Sequence, residues 1–327
     1  MLRHRIYFNL RPFVPQLLRT ALRRRIASRF RRQLGDIWPI KSGSELAPPA
    51  WPGWAGGKQF AVVLTHDVEG ERGLDRVQSL ARLEMDTGFR SSFNFIPEGS
   101  YRLTKSLREW LVEHGFEIGV HDLRHDGKLY SSRGRFMRRA DRINRYLREW
   151  GAVGFRSGFM FRNLEWIHQL DIEYDASTFD TDPFEPQPAG RNTIFPIWVP
   201  QPATSHLYRA TVSKNGGYVE LPYTLPQDFT LFLLLRERSI DVWKKKLDWI
   251  VEHGGMVLTN THPDYMSFNG NERDLEFPAK HYRELLDYIE SRYSGLYWKA
   301  LPREVAAWSL RHRDRLNSLS SVALQQN

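Results

Sequence analysis

Val62-Val-Leu-Thr-His-Asp-Val-Glu69 begins as an apolar run and ends in two carboxylates. A short aliphatic run of this kind reads as a strand of a parallel sheet, buried on both faces. Working outward, β-rich runs recur between helical patterns at Phe60–Val68, Ser91–Pro97, Phe116–His121, Gly154–Arg156, Ile172–Ser177, Tyr218–Tyr223 and Gly255–His262. Strands spaced by helices indicate βαβ units. About seven of them predict an α/β fold closed, or nearly closed, into a barrel. Pro183–Gln201, rich in Gly and Pro, reads as a long ordered loop.

The charged ends of these strands carry the chemistry. The first runs into Asp67 and Glu69, Ile118-Gly-Val into His121, Gly154-Phe into Arg156, Glu173-Tyr into Asp175, and Val257-Leu-Thr-Asn-Thr into His262. Parallel barrels build active sites at the C-terminal ends of their strands, so groups scattered over the chain can converge there. Taken singly, each has a structural explanation: an Asp after a strand caps a helix, an Arg pairs at the surface, a His is bonded in the core. The coincidence of five at one rim favours a site. His121 and His125 are four apart, so a helical turn after the strand would put both imidazoles on one face. A carboxylate from the first strand then completes a His₂–carboxylate set with open positions, the arrangement of catalytic zinc. Asp67 and Glu69 are two apart and share a face if the strand continues; either can be the ligand and the other the base.

Composition narrows the alternatives. The 327 residues include 11 Trp and no Cys, so thiolate metal sites and nucleophiles are excluded. No apolar run approaches the roughly 18 to 20 residues of a membrane span. The net charge of +9 is concentrated in residues 1–35, which hold ten Arg and no Asp or Glu; the rest carries 37 basic against 38 acidic side chains. The basicity belongs to an arm, and no nucleic-acid partner is expected, because a basic groove should be built into the folded body. Leu17, Leu18, Leu22, Ile26 and Phe30 recur at helical steps among the arginines. Residues 1–34 therefore read either as an amphipathic helix for an anionic membrane surface or as a helix packed on its own domain. The short, Pro-interrupted apolar stretch Pro12–Leu18 lacks a cleavage site, so a cytoplasmic protein, peripheral on the inner membrane face, is expected, although a mitochondrial presequence shares the composition. Residues 35–59, with four Pro, five Gly and Trp38, Trp51 and Trp54, form a linker; 60–312 form the barrel and 313–327 a polar tail.

One internal echo supports the repeating unit. Trp110-Leu-Val-Glu-His-Gly115 precedes the strand ending at His121, and Trp249-Ile-Val-Glu-His-Gly254 precedes the strand ending at His262. A His before a C-terminal Gly suits a helix end, so His114 and His253 are expected to be structural.

With these residues in place the chain resembles the polysaccharide deacetylases of the NodB-homology type, carbohydrate esterase family 4. Thr65-His66-Asp67-Val68-Glu69 is similar to the family's Thr-Phe-Asp-Asp motif, and His121-Asp-Leu-Arg-His125 to its His-Ser/Thr-x-x-His motif. Arg156-Ser-Gly-Phe159 is similar to Arg-x-Pro-Tyr/Trp, Leu258-Thr-Asn-Thr-His262 to the last His motif, and Tyr174-Asp175-Ala-Ser177 to the fourth. The likeness spans roughly residues 60 to 265 in order, in a divergent form: Asp-x-Glu replaces the Asp pair, Gly158 the Pro and Asp122 the Ser or Thr. It implies a distorted (β/α)₇ barrel and metal-dependent removal of N- or O-acetyl groups from an acetylated carbohydrate. It also implies that Glu69, His121 and His125 hold a divalent metal, Zn²⁺ in the first instance, and that Asp67 is the base. Arg156 would pair with Asp67, His262 would protonate the departing sugar atom, and Asp175 would keep His262 charged. The altered first motif leaves two rivals, a silent glycan- or partner-binding barrel and a metal hydrolase of a non-sugar amide. Trp166, Phe179, Phe184, Trp198 and Tyr223 are candidate sugar-stacking rings, Glu220–Asp228 a shaped rim loop, and Asp180-Thr-Asp182-Pro183 a capped turn.

Overall fold

The computed structural model describes residues 16–34, 38–202, 215–270, 272–273 and 275–316. A basic helix, α1 (Gln16–Leu34), precedes the body. The body follows as β1 (Phe60–Val68), α2 (Glu71–Asp86), β2 (Ser92–Phe95), α3 (Lys105–Glu113), β3 (Glu117–His121), α4 (Arg133–Trp150), β4 (Gly154–Arg156), α5 (Leu164–Ile167), β5 (Tyr174–Asp175), β6 (Ile197–Pro200) and β7 (Gly217–Glu220). Then come α6 (Asp241–Glu252), β8 (Met256–Thr261), β9 (Met266–Ser267), β10 (Phe277–Pro278), α7 (Lys280–Tyr293), β11 (Tyr297–Ala300), α8 (Pro302–Arg311) and α9 (Arg313–Leu316).

All nine residues of β1 are buried, as a central parallel strand requires. It pairs in parallel with β8 along Ala61–His66, with β11 along Phe60–Val63 and with β2 along Thr65–Val68. A strand has two edges, so β11 and β2 must share one of them end to end. The sheet continues in parallel through β3, β4, β5 and β7. The remaining gap is bridged by irregular backbone: Thr224 and Leu225 both donate their N–H to Leu258 O, at 3.0 and 3.2 Å. Seven of these eight parallel strands, β1–β5, β7 and β8, are thus curled into a barrel whose last seam is not a regular ladder, and β11 lies beside β2 along β1.

Two strands of this sheet escape the sequence reading, besides the separate two-residue pair β9 and β10. Ile197–Pro200, inside the segment expected to be a loop, is β6 and pairs antiparallel with β7, Ile197 opposite Glu220. Its apolar run is only Ile-Trp-Val between prolines, too short to show a period of two. β11 is likewise a four-residue strand, half exposed at Trp298 and Lys299.

The helices cover the barrel with one apolar stripe each. In α4, Phe136, Ala140, Ile143 and Leu147 are buried at steps of three and four, each large one contributing roughly 1.5–3 kcal/mol. Ser132 caps its start by accepting from Arg135 N, and Gly151 ends it in a left-handed turn, φ 64°. His114 and His253 are structural: each bonds through Nδ1 to the carbonyl four residues back, Trp110 and Trp249, at 2.7 Å. The same Trp–His bond, without the following Gly, ends α8, where His312 bonds Trp308 O at 2.8 Å. The Trp-rich linker covers the N-terminal end of the barrel: Trp51 lies 4.8 to 5.1 Å from the rings of Trp54, Phe195 and Trp308, and Trp54 Nε1 donates to Gly254 O at 2.7 Å.

Helix α1 packs one face on the body. Ala27 and Leu34 are buried, Phe30 meets Phe184 edge-on at 5.8 Å, and Arg24 Nε donates to Leu233 O at 2.7 Å. Residues 1–15 of the arm and the tail from 317 onward lie outside the described residues.

Candidate metal centre

The C-terminal ends of β1, β3, β4 and β8 bring Asp67, Glu69, His121, His125, Arg156 and His262 together. Asp67 is the second-last residue of β1 and buried. Its Oδ1 accepts from Asn94 Nδ2 at 2.9 Å and from Arg156 Nη1 at 3.2 Å, and its Oδ2 faces His121 Nε2 at 4.0 Å. Burial pushes this carboxyl up, but Arg156, His121, His262 and Asn94 outweigh it and hold Asp67 at about 2. It is ionised at neutral pH.

Arg156 sits inside the barrel, fully buried, where Nη1 also donates to Thr65 Oγ1 and Asn260 Oδ1, each at 2.8 Å, and Nε to Ala176 O at 2.8 Å. Its own carbonyl receives His121 Nδ1 at 3.1 Å. That bond places the proton of His121 on Nδ1 and leaves Nε2 as a lone pair aimed at the carboxylates, the state a metal ligand needs. Burial lowers the His121 pKa further, favouring the neutral ring.

The sequence expects His121 and His125 on one helical turn. The structure corrects this: the segment after β3 is irregular, with Asp122 and His125 both in the left-handed region at φ 54° and 48°. The imidazoles still meet, 4.9 Å between centroids. The bend is held by Asp122 N donating to Arg156 O at 2.8 Å and by the facing loop after β4, where Phe159 and Met160 are also left-handed. Such conformations cost of order 1–3 kcal/mol each in residues other than Gly and cluster at functional sites. Gly158 lies between the loops, and a Cβ there would sit 2.7 Å from His125 Cδ2 and 2.8 Å from Asp122 Oδ2. Phe159 stacks on His125 at 4.2 Å.

Glu69, just beyond β1, closes the group. Its Oε1 is 3.1 Å from His125 Nε2 and 3.9 Å from His262 Nε2, and its Oε2 accepts from Tyr265 Oη at 2.9 Å. Burial opposes its charge, yet His125 leads the neighbours that hold it well below the usual range. One ligand atom from each of Glu69, His121 and His125 lies within 4.8 Å of the other two, and buried His121 Nε2 has no hydrogen-bond partner among the described residues. Two imidazoles and a carboxylate so placed fit a divalent ion.

His262 follows β8 on the other side of Glu69. Its Nδ1 donates to Asp228 Oδ1 and its backbone N–H to Asp228 Oδ2, both at 2.7 Å. Burial works against the charged ring, but Asp228, then Glu69 and Asp67, raise His262 to about 10, so it is protonated at neutral pH. The expectation that Asp175 does this is corrected. Asp175 lies inside the barrel in register with Glu220, and its Oδ1 accepts from Ser177 Oγ at 2.6 Å; burial holds both carboxyls above their ordinary values. Asp228 comes from the rim loop Glu220–Asp228, immediately before a π-helical turn, Phe229–Leu234. In sequence an Asp before an apolar run reads as a helix cap, and it does bond Phe229 N, at 2.7 Å. Asn94 was readable as a polar residue at the end of β2; Tyr265 carries no local signal.

Asp182 Oδ1 accepts from Phe184 N at 3.0 Å, a capped turn, while Asp180 bonds the buried Lys246 at 2.5 Å. Of the candidate stacking rings, Phe179, Trp198 and Tyr223 are core. Trp166 packs against Phe136, and Phe184 against Trp38. Phe159, over His125, and Tyr265, beside His262, are rings at the site.

No protein-family model matches the chain, and no curated protein matches it. Solved structures do. One is described as a "putative polysaccharide deacetylase from Mycobacterium smegmatis": 18% identity, TM-score 0.58, covering 82% of this chain and 96% of that one. Others are a peptidoglycan deacetylase from Bacillus subtilis, at 11% identity, TM-score 0.43 and coverage of 82% and 98%, and the catalytic domain of a peptidoglycan N-acetylglucosamine deacetylase from Eubacterium rectale, at 10%, 0.43, 76% and 91%. The first of these likenesses extends over 82% of this chain, and the architecture is accordingly the distorted (β/α)₇ barrel of the polysaccharide deacetylase type.

Proposed function

We propose that this protein is a metal-dependent hydrolase that removes acetyl groups, N- or O-linked, from a carbohydrate. The observation that carries the reading is the gathering of Glu69, His121 and His125 around one point with an ionised carboxylate, Asp67, on one side and a protonated imidazole, His262, on the other. Groups whose surroundings drive their pKa values far apart divide naturally into a base and an acid. The neutral His121 ring, His125 and Glu69 would hold the ion, Zn²⁺ by donor type. Bound there, it supplies Lewis acidity to the acyl carbonyl and to water.

The remaining work falls to the protein. Asp67, fixed by Arg156 and Asn94 through Oδ1, keeps Oδ2 directed into the site as the proton acceptor. His262 delivers its Nε2 proton to the leaving nitrogen or oxygen, and Asp228 holds the ring oriented and charged while it does so. Positioned groups of this kind are each worth about 10²- to 10⁴-fold. Glu69 is favoured as ligand over Asp67 because an oxygen of Glu69 and one ring nitrogen each of His121 and His125 lie within 4.8 Å of one another, whereas Asp67 Oδ1 is taken by two donors. Metal analysis of the purified chain together with acetate release from acetylated amino sugars tests the proposal. Bound metal without release from any acyl sugar would transfer the reading to a silent glycan-binding barrel, and turnover of a cyclic amide without acetate to an amide hydrolase.

A further inference from the structure

We propose that the outward face of α1 docks the protein on an anionic lipid bilayer. At 100° per residue, Arg23, Arg24, Ala27, Phe30, Arg31 and Leu34 share one half of the helix, and that half meets the body. Arg24 bonds Leu233 O, Arg31 pairs with Glu237, Arg23 lies over the Phe229 ring at 4.8 Å, and Ala27 and Leu34 are buried. The opposite half carries Leu22, Ile26, Arg25, Arg29 and Arg32. Leu22 and Ile26 are 60% and 58% exposed and one turn apart; the other large apolar residues so exposed among the described residues, Leu46, Val112 and Leu296, are scattered singly. Arg25, Arg29 and Arg32 are exposed and form no ion pair among the described residues, and residues 1–35 hold no acid to neutralise them.

Apolar side chains interleaved with unpaired arginines match a surface that is itself apolar beneath and anionic on top. A bilayer offers both, whereas a nucleic-acid backbone offers nothing to cover Leu22 and Ile26. Each basic residue at such a surface strengthens partitioning roughly five-fold.

The inner half of the helix that carries this face packs beside the candidate site. Phe229, under Arg23, lies 5.3 Å from the ring of Tyr265, which bonds Glu69, and the segment that receives Arg24 at Leu233 begins at Asp228, the partner of His262. Resting on the hydrolase reading above, the substrate class presented to a site at that surface is an acetylated glycan still attached to a membrane lipid.

The test is co-sedimentation of the full chain with phosphatidylcholine vesicles, with and without a third of phosphatidylglycerol. The anionic vesicles should bind it at low salt, and both the variant Leu22→Ser/Ile26→Ser and the variant Arg25→Gln/Arg29→Gln/Arg32→Gln should bind at least about ten-fold more weakly, with unchanged circular dichroism. Failure of the full chain to bind anionic vesicles would overturn the proposal. So would full binding by the serine variant, which would leave only a polyanion patch, or a dimer of the full chain that the serine variant dissolves, which would make the face a contact between copies. Vesicle binding is read without turnover, so a chain that binds vesicles and releases no acetate would defeat the hydrolase reading and leave the docking standing.

Discussion

His262 and Asp228 are joined twice, ring Nδ1 to one carboxylate oxygen and backbone N–H to the other, each at 2.7 Å. A single side chain therefore sets both the position of the imidazole and its charge. Asp228→Asn keeps the shape and removes the charge, so the His262 pKa should fall from about 10 towards its ordinary 6.5. The acid form is then lost at lower pH. The alkaline limb of the kcat profile should move towards neutrality, and kcat at pH 8 should fall about 30-fold, the loss of protonated ring that a pKa of 6.5 gives. An unmoved limb would take His262 out of the acid role.

Metal stoichiometry separates ligand from base. His121→Ala and Glu69→Gln should each lose the ion together with turnover. Asp67→Asn should keep the ion and lose about 10²- to 10⁴-fold in kcat, because the ligand group is Glu69, His121 and His125 while Asp67 is held through Oδ1 by Arg156 and Asn94. Elemental analysis of the three variants checks this, and metal loss in Asp67→Asn alone would exchange the two roles.

The space at Gly158 gives a third prediction. A methyl group there collides with His125 and Asp122, so Gly158→Ala should weaken metal affinity about 10- to 100-fold, the scale of losing a ligand's support. The melting temperature should change little, since the collision is with a rim loop and not with the barrel core. Competition with a chelator reads the affinity.

A fourth concerns stability and pH. Asp182 and Glu185, both bonded to Tyr223 Oη, are raised by burial, and Glu185 also by Asp182, to about 7 and about 8. The folded chain holds protons there that the unfolded chain releases between about pH 4 and the folded values, so this pair makes stability fall as pH rises through that window. Glu185→Gln should flatten the decline in melting temperature between pH 5.5 and 8.5. An equal decline in the variant would refute the assignment.

The barrel was legible because short β-rich runs recur between helical stretches, and the site because most of its polar residues stand at or just after the ends of those strands. What escaped had local reasons. The turn from His121 to His125 depends on left-handed residues that no Gly announces, its shape imposed by Arg156 across the strand. Asp228 is hidden as a cap before an apolar run, while Asp175, at the more obvious strand end, is drawn inward by its register with Glu220. Ile197–Pro200 needs β7 beside it to become a strand at all.

The Asp228–Leu234 segment has one more implication. Its first residue steadies the proposed proton donor, and its carbonyl at Leu233 is held by Arg24, upstream of the first strand. A fragment trimmed to begin at Phe60 would contain every strand and every titrating group of the pocket, yet would leave the back of that segment bare to water. The scaffold that orients the donor begins before the barrel does.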